Sequence, residues 1–202
     1  VITEQPSLAI LIDCWFINDF SHTPANTAYR NIVDFLNSNE YIKTVVLASY
    51  NCRKETASSR TVWYDNYKGL FHNNVHSRNI RDLEHVHRVY TQQDTRFPNE
   101  ETHPLILNYV NKDKFQIAMQ WRWELDYYLS LNPEIKNIYV LGVAWDNCVK
   151  IRPLGYESLF ENQNINVLTH TDCSANMDGS PVNLDADARW HKVEDKIYCV
   201  RR

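Results

Sequence analysis

The stretch Tyr139-Val140-Leu141-Gly142-Val143-Ala144-Trp145-Asp146-Asn147-Cys148-Val149 decides how this chain is read. An apolar run ends at a glycine, a sharp turn follows, and a cysteine falls in the first turn of the helix expected next. Backbone N–H groups at a helix N-terminus point outward unpaired, and the helix dipole favours a negative sulfur there. The segment thus sets a thiol where it could react. A small apolar cysteine that merely packs at a strand–helix junction satisfies the same pattern. The chain holds only four glycines, and two of them, Gly142 and Gly155, flank Cys148, which favours a specialised turn.

Working outward, Leu8-Ala9-Ile10-Leu11-Ile12 is continuously apolar, as a central parallel strand covered on both faces should be. Thr44-Val45-Val46-Leu47-Ala48 reads the same way. Between them residues 24–37 predict a helix, with Thr23 to cap it, Pro24 in its first turn, and Ile32, Val33, Phe35 and Leu36 as its apolar face. Downstream, residues 104–110 read as a strand, and 117–129 as a helix with Trp121, Leu125, Tyr128 and Leu129 on one face. Residues 138–141, 166–169 and 197–200 supply further strands, the last at an edge. The polar, asparagine-rich stretch 49–103 predicts short helices, with 85–90 its best strand. Strands alternating with helices make this an α/β chain: a three-layer, doubly wound, mostly parallel sheet in a single domain over residues 1–202.

Composition narrows the partners. A net charge of −4 and a pI near 6.1 give no electrostatic case for nucleic acid or an anionic membrane. Trp121-Arg122-Trp123 lacks the basic groove that single-stranded nucleic acid needs. No apolar run approaches a bilayer span and no signal-peptide layout opens the chain. The five cysteines (Cys14, Cys52, Cys148, Cys173, Cys199) are odd in number and unpaired in spacing, so a reduced, cytoplasmic protein is expected.

The strand, glycine, turn and cysteine resemble the isochorismatase-like cysteine hydrolases, whose nucleophile lies in a Gly-Val-Ala-Thr-Asp-x-Cys-Val segment. Gly142, Val143, Ala144, Asp146, Cys148 and Val149 match, and Trp145 replaces the small or hydroxylated residue. The continuation Cys148-Val149-Lys150-Ile151-Arg152-Pro153-Leu154-Gly155 looks like a branch with Cys-Val-x-x-Arg-Pro-x-Gly. Leu11-Ile12-Asp13 matches the family's aspartate after its first strand, while the glutamine usual just downstream is missing.

The resemblance implies a Rossmann-like architecture and three catalytic residues. Cys148 would be the nucleophile and Asp13 its proton acceptor; an aspartate after a strand can also simply cap a turn. The cation would be Lys112, or Lys114 in the same loop. The amides of Ala144 and Cys148 would form the oxyanion hole, with a cis peptide between Val143 and Ala144. Trp145 would wall the substrate pocket or fill space at a subunit contact. The implied reaction is hydrolysis of a C–N bond in a small-molecule amide or related substrate through a thioester, by a possible homo-oligomer; the alternative is a non-catalytic ligand-binding protein on the same fold. The branch that acts on isochorismate lacks the cysteine, so Cys148 argues against it.

No cofactor is expected. Nicotinamidase-like members add a metal site built on Asp-x-His after the second strand, where this chain reads Ser49-Tyr50-Asn51-Cys52-Arg53. His72, His76, His85, His87 and His103 remain, but His85 and His87 on one strand face are two ligands, too few for a metal site. Cys14 and Cys173 also follow strands, and packing explains them.

Overall fold

The computed structural model describes residues 1–16, 23–48, 101–102, 104–119, 122–160 and 164–201. In chain order its elements are β1 (Ser7–Ile12), β2 (Trp15–Phe16), α1 (Thr23–Ser38), β3 (Ile42–Ala48), β4 (Glu101–Thr102), α2 (Pro104–Tyr109) and β5 (Phe115–Ala118). There follow α3 (Arg122–Leu131), β6 (Asn137–Val143), α4 (Cys148–Ile151), α5 (Tyr156–Leu159), β7 (Asn166–His170), β8 (Ser174–Ala175), β9 (Trp190–Glu194) and β10 (Ile197–Val200). Eight strands form one sheet in the order β5-β3-β1-β6-β7-β10-β9, with β8 pairing the end of β6; β2 and β4 make a separate two-stranded ribbon.

All six residues of β1 are buried, which is what a continuous apolar run in a central strand predicts. Alternate side chains leave on opposite faces of the sheet. Leu8, Ile10 and Ile12 join one core with Leu125, Tyr128 and Leu129 of α3 and the aromatics Trp145, Tyr156 and Trp190. Ala9 and Leu11 join the other with Ile32, Val33 and Leu36 of α1. Fully burying a side chain such as Ile32 or Leu36 contributes about 1.5–3 kcal/mol, so this apolar stripe secures α1 to the sheet. The crossover β1–α1–β3 steps outward from β1, and β5–α3–β6 steps back past it to the other side. Right-handed connections running in opposite directions place their helices on opposite faces.

The molecule is therefore an α/β protein with a mostly parallel mixed sheet, β10 alone running antiparallel to its neighbours β7 and β9. The antiparallel end corrects one expectation. Residues 197–200 do form a strand, but it is interior, and the edge among the described residues is β9. Trp190-His191-Lys192-Val193-Glu194 was not recognisable as a strand, because only Trp190 is buried and the rest are half-buried or exposed.

Two further expectations are overturned. Residues 104–110 are not a strand: 104–109 form α2, entered through Pro104 in its first turn. Ile106 and Val110, one helical turn apart, are both buried in the core that α1 shares, while Tyr109 is exposed. Asn37 of α1 closes the helix end by donating to Tyr109 O at 2.8 Å and accepting from Asn111 N at 2.9 Å. A short apolar run does not by itself distinguish the two structures. Likewise 117–129 is not one helix. Phe115–Ala118 is a strand, paired in parallel with Thr44–Leu47 of β3, and α3 begins only at Arg122. The expected strand at 85–90, the Ser49–Arg53 comparison, Cys52, Trp121 and His72, His76, His85, His87 and His103 lie outside the described residues.

Candidate active site

Strands β1 and β6 lie side by side, yet the chain winds away from them in opposite directions. That is the crevice where open α/β sheets collect ligands, beyond the carboxyl ends of the strands. Asp13 is the first residue past β1, and Cys148 follows β6 by a single turn.

Gly142 makes this approach possible. It sits opposite Ile12 with φ 131°, and a Cβ built on it would lie 2.1 Å from the Ile12 carbonyl oxygen. Space and backbone both demand glycine there. The Gly142 amide donates to Ser174 Oγ at 3.3 Å, which seats β8 against the turn. Asp13 takes a left-handed backbone (φ 49°), which a short polar residue tolerates better than most, and its N–H donates to Ala48 O at 3.3 Å. Its carboxylate is thereby fixed over the strand ends.

The Val143–Ala144 peptide is cis, as the resemblance implies. Ala144 O accepts from Asn147 N at 3.2 Å and Val149 N at 3.0 Å, skipping the Cys148 amide, while the Ala144 N–H is directed at the Cys148 sulfur. Both amides expected to serve an oxyanion thus border the thiol. The helix that Cys148 begins is only four residues long, and the Asn147 side chain does not cap it. Its dipole is that of a single turn, which removes most of the electrostatic reason for a low thiol titration.

Asp13 is 2% exposed and Cys148 half-buried. Asp13 Oδ2 accepts from Arg152 Nε at 2.8 Å. Oδ1 is buried without a hydrogen-bond partner, and the Cys148 thiol is close enough to couple to the carboxylate. Burial raises the Asp13 titration; the Arg152 charge and hydrogen bond, then the thiol, act against it. The thiol too is raised, by burial first and the Asp13 charge next, with Arg152 and the Ala144 amide opposing. Burial and the neighbouring carboxylate thus move the Cys148 titration upward, opposite to the depression expected from a helix N-terminus.

Arg152 is the residue that the sequence reading missed. It follows the end of α4, one helical turn beyond Cys148, its N–H bonded to Cys148 O at 3.1 Å, which brings its side chain to Asp13 from the same turn that carries the thiol. The signal was the i, i+4 spacing inside the quoted Cys148-to-Gly155 segment.

The lysines are placed elsewhere. Lys112 is exposed in the turn that leads into β5, and Lys114 is buried with Nζ donating to Asn39 O at 2.9 Å and Ile42 O at 2.7 Å. Both sit at the starts of the strands. Seven residues of β3 separate that end from Asp13, about 20 Å at ~3.3 Å per residue. The reason is the misread strand: Lys112 precedes β5 instead of following one. Trp145 is turned into the core. At 5% exposure it stacks on Tyr156 (4.7 Å between ring centroids) and packs on Trp190 (5.6 Å), a core role that leaves almost no surface for substrate.

Cys14 and Cys173 are buried with their titrations raised, burial being the first cause for each, as packing cysteines. Asp172 occupies the 3-10 turn Thr171–Cys173 after β7. Among the described residues no group of three or more His, Cys, Asp or Glu is placed to hold a metal, and no helix is long and apolar enough to cross a membrane. Compared with protein-family models, curated proteins and solved structures, the chain matches none.

Proposed function

We propose that this protein is a cysteine hydrolase of isochorismatase-like fold and mechanism, cleaving a C–N bond in a small amide or related molecule through a thioester. One observation carries the reading: a half-buried thiol, a buried carboxylate with one unpartnered oxygen and a guanidinium meet where β1 and β6 end. In the reaction Asp13 takes the Cys148 proton on Oδ1 as the sulfur attacks the substrate carbonyl, and the Ala144 and Cys148 amides receive the developing oxyanion. Asp13 then protonates the departing nitrogen, and water, deprotonated by the same carboxylate, releases the acid and restores the thiol. A thiol raised by burial suits this sequence, because its proton leaves only when the carboxylate accepts it.

A small-ligand-binding protein without catalysis is the second reading, favoured by the placement of both lysines away from the site. A panel of amides, ureides and nicotinamide-like compounds separates the two. The hydrolase reading requires product release together with an acyl adduct on Cys148, seen in the intact mass of quenched protein. Compounds that bind yet yield neither product nor adduct establish the second.

A further inference from the structure

We propose that Arg152 is the positioning residue of this site: its guanidinium, delivered one helical turn beyond Cys148, holds Asp13 by Oδ2 and leaves Oδ1 uncommitted for the thiol's proton. This rests on the reading of Asp13 and Cys148 as a working pair and deepens it.

The geometry divides the carboxylate between two neighbours. A carboxylate able to rotate freely would present either oxygen to the sulfur. Here Oδ2 is fixed by a 2.8 Å charge-assisted hydrogen bond, and its side chain is 1% exposed against 20% for that of Arg152. Oδ1 is left as the buried atom without a partner. Orientation of a base by a third group that leaves one of its atoms free is the arrangement that nucleophilic sites need. The covalent path explains how the chain achieves it. Arg152 N is bonded to Cys148 O, Gly155 N to Arg152 O at 2.7 Å, and Gly155 packs so tightly that an added Cβ would meet the Lys150 and Val149 carbonyl oxygens at 2.7 Å. The thiol and the guanidinium are thus two ends of one rigid turn, and moving either moves the other.

The second consequence is electrostatic. Among the described residues, the titratable and charged groups acting on Asp13 and Cys148 are each other, Arg152 from α4, and Cys14, whose thiol lies next to the carboxylate in the chain. Arg152 is the cation of this set. It favours negative charge on either member of the pair, wherever the proton resides. Removing it raises both titrations of the pair, which act as coupled steps.

The test uses iodoacetamide as the probe, so it needs no substrate. The pH–rate profile of Cys148 alkylation is followed by peptide mapping in the full chain, in Arg152→Gln and in Arg152→Lys. For Arg152→Gln the profile should move to higher pH, with alkylation at mildly acidic pH slower by about tenfold, equivalent to roughly one unit in the titration. Arg152→Lys keeps the charge without the planar fork and should recover part of that loss. The proposal is overturned by a profile unchanged in Arg152→Gln, as a merely structural ion pair would give. It is equally overturned by faster alkylation with the pH dependence of a free cysteine, meaning that the turn had simply come loose. The hydrolase reading stands or falls separately: an Arg152-dependent profile in a protein that turns over no amide upholds the positioning role and sinks the catalysis.

Discussion

At the scale of single residues, Asp13 and Cys148 make sense only as a pair. The carboxylate is buried with one oxygen unpartnered, and the thiol coupled to it has its titration raised by burial and by that carboxylate. If the site hydrolyses an amide, Asp13→Asn and Cys148→Ala should each remove nearly all turnover, and the double variant should be scarcely worse than either, because the two act on the same proton. Near-additive losses would show two independent contributions instead. Stability should separate the two substitutions. Asp13→Asn leaves the Arg152 guanidinium without its carboxylate; the pair is part-exposed, so the expected cost is about 1–3 kcal/mol, below that of a fully buried pair, readable as a lowered denaturation midpoint. Cys148→Ala should be close to neutral. Among the described cysteines Cys148 is the accessible one, with Cys14, Cys173 and Cys199 buried, so alkylation of the native protein should map to Cys148 before those three. Exposure, rather than a depressed titration, makes it so.

At the scale of elements, the turn between β6 and α4 is the decisive piece, and its tolerances follow from its contacts. Gly142→Ala forces a Cβ against the Ile12 carbonyl oxygen at a backbone angle that side chains avoid. A loss of about 3 kcal/mol or more is expected, with native-like stability in that variant telling against the tight β1–β6 approach. Trp145→Ala opens the aromatic cluster with Tyr156 and Trp190 and should cost about 3–5 kcal/mol while leaving Cys148 reactive. These contacts also explain which elements were legible in the sequence. The runs of β1, β3 and β6 are buried on both faces and read as strands directly, and the glycine–turn–cysteine pattern marked Asp13 and Cys148 through the strands they follow. The stretch from Pro104 to Ala118 misled, since a short, mostly apolar run fits helix or strand equally and pairing with β3, a tertiary contact, made Phe115–Ala118 a strand. That one inversion exchanged the two ends of the sheet and sent the expected cation to the wrong one. Arg152 stayed hidden because its i, i+4 spacing from Cys148 does not by itself name the partner, a carboxylate 139 positions away in the chain.

At the scale of the whole molecule, pH should act through more groups than the Asp13–Cys148 pair. His170 has a lowered titration, owing first to burial and then to the opposed charges around it, and its Nδ1 is buried without a partner. The unfolded chain takes up the proton near the ordinary histidine value, the folded one only at lower pH. This contribution is therefore complete above about pH 6.5 and is lost as pH falls from there through the folded value. Asp13, raised when folded, has the reverse slope: its contribution holds below the ordinary carboxylate value and declines as pH rises through the folded one. Thermal midpoints between pH 7.5 and 5 should fall, and His170→Gln should flatten that slope; an equally steep slope in the variant would assign the effect to other groups. Lastly, the side-by-side placement of β1 and β6 bears on how the molecule comes into being. Ile12 and Gly142 are direct partners in the sheet, though the whole stretch 13–141 lies between them. Closing so long a loop is slow, and contacts of this separation dominate the folding time of such topologies. No fragment can assemble the pair, and reactivity of the Asp13–Cys148 kind becomes a clock for completed folding. In a refolding experiment with brief alkylation pulses, Cys14 should gain protection no later than Cys148 acquires its native rate, because the strand that buries the one must already be docked to set up the other.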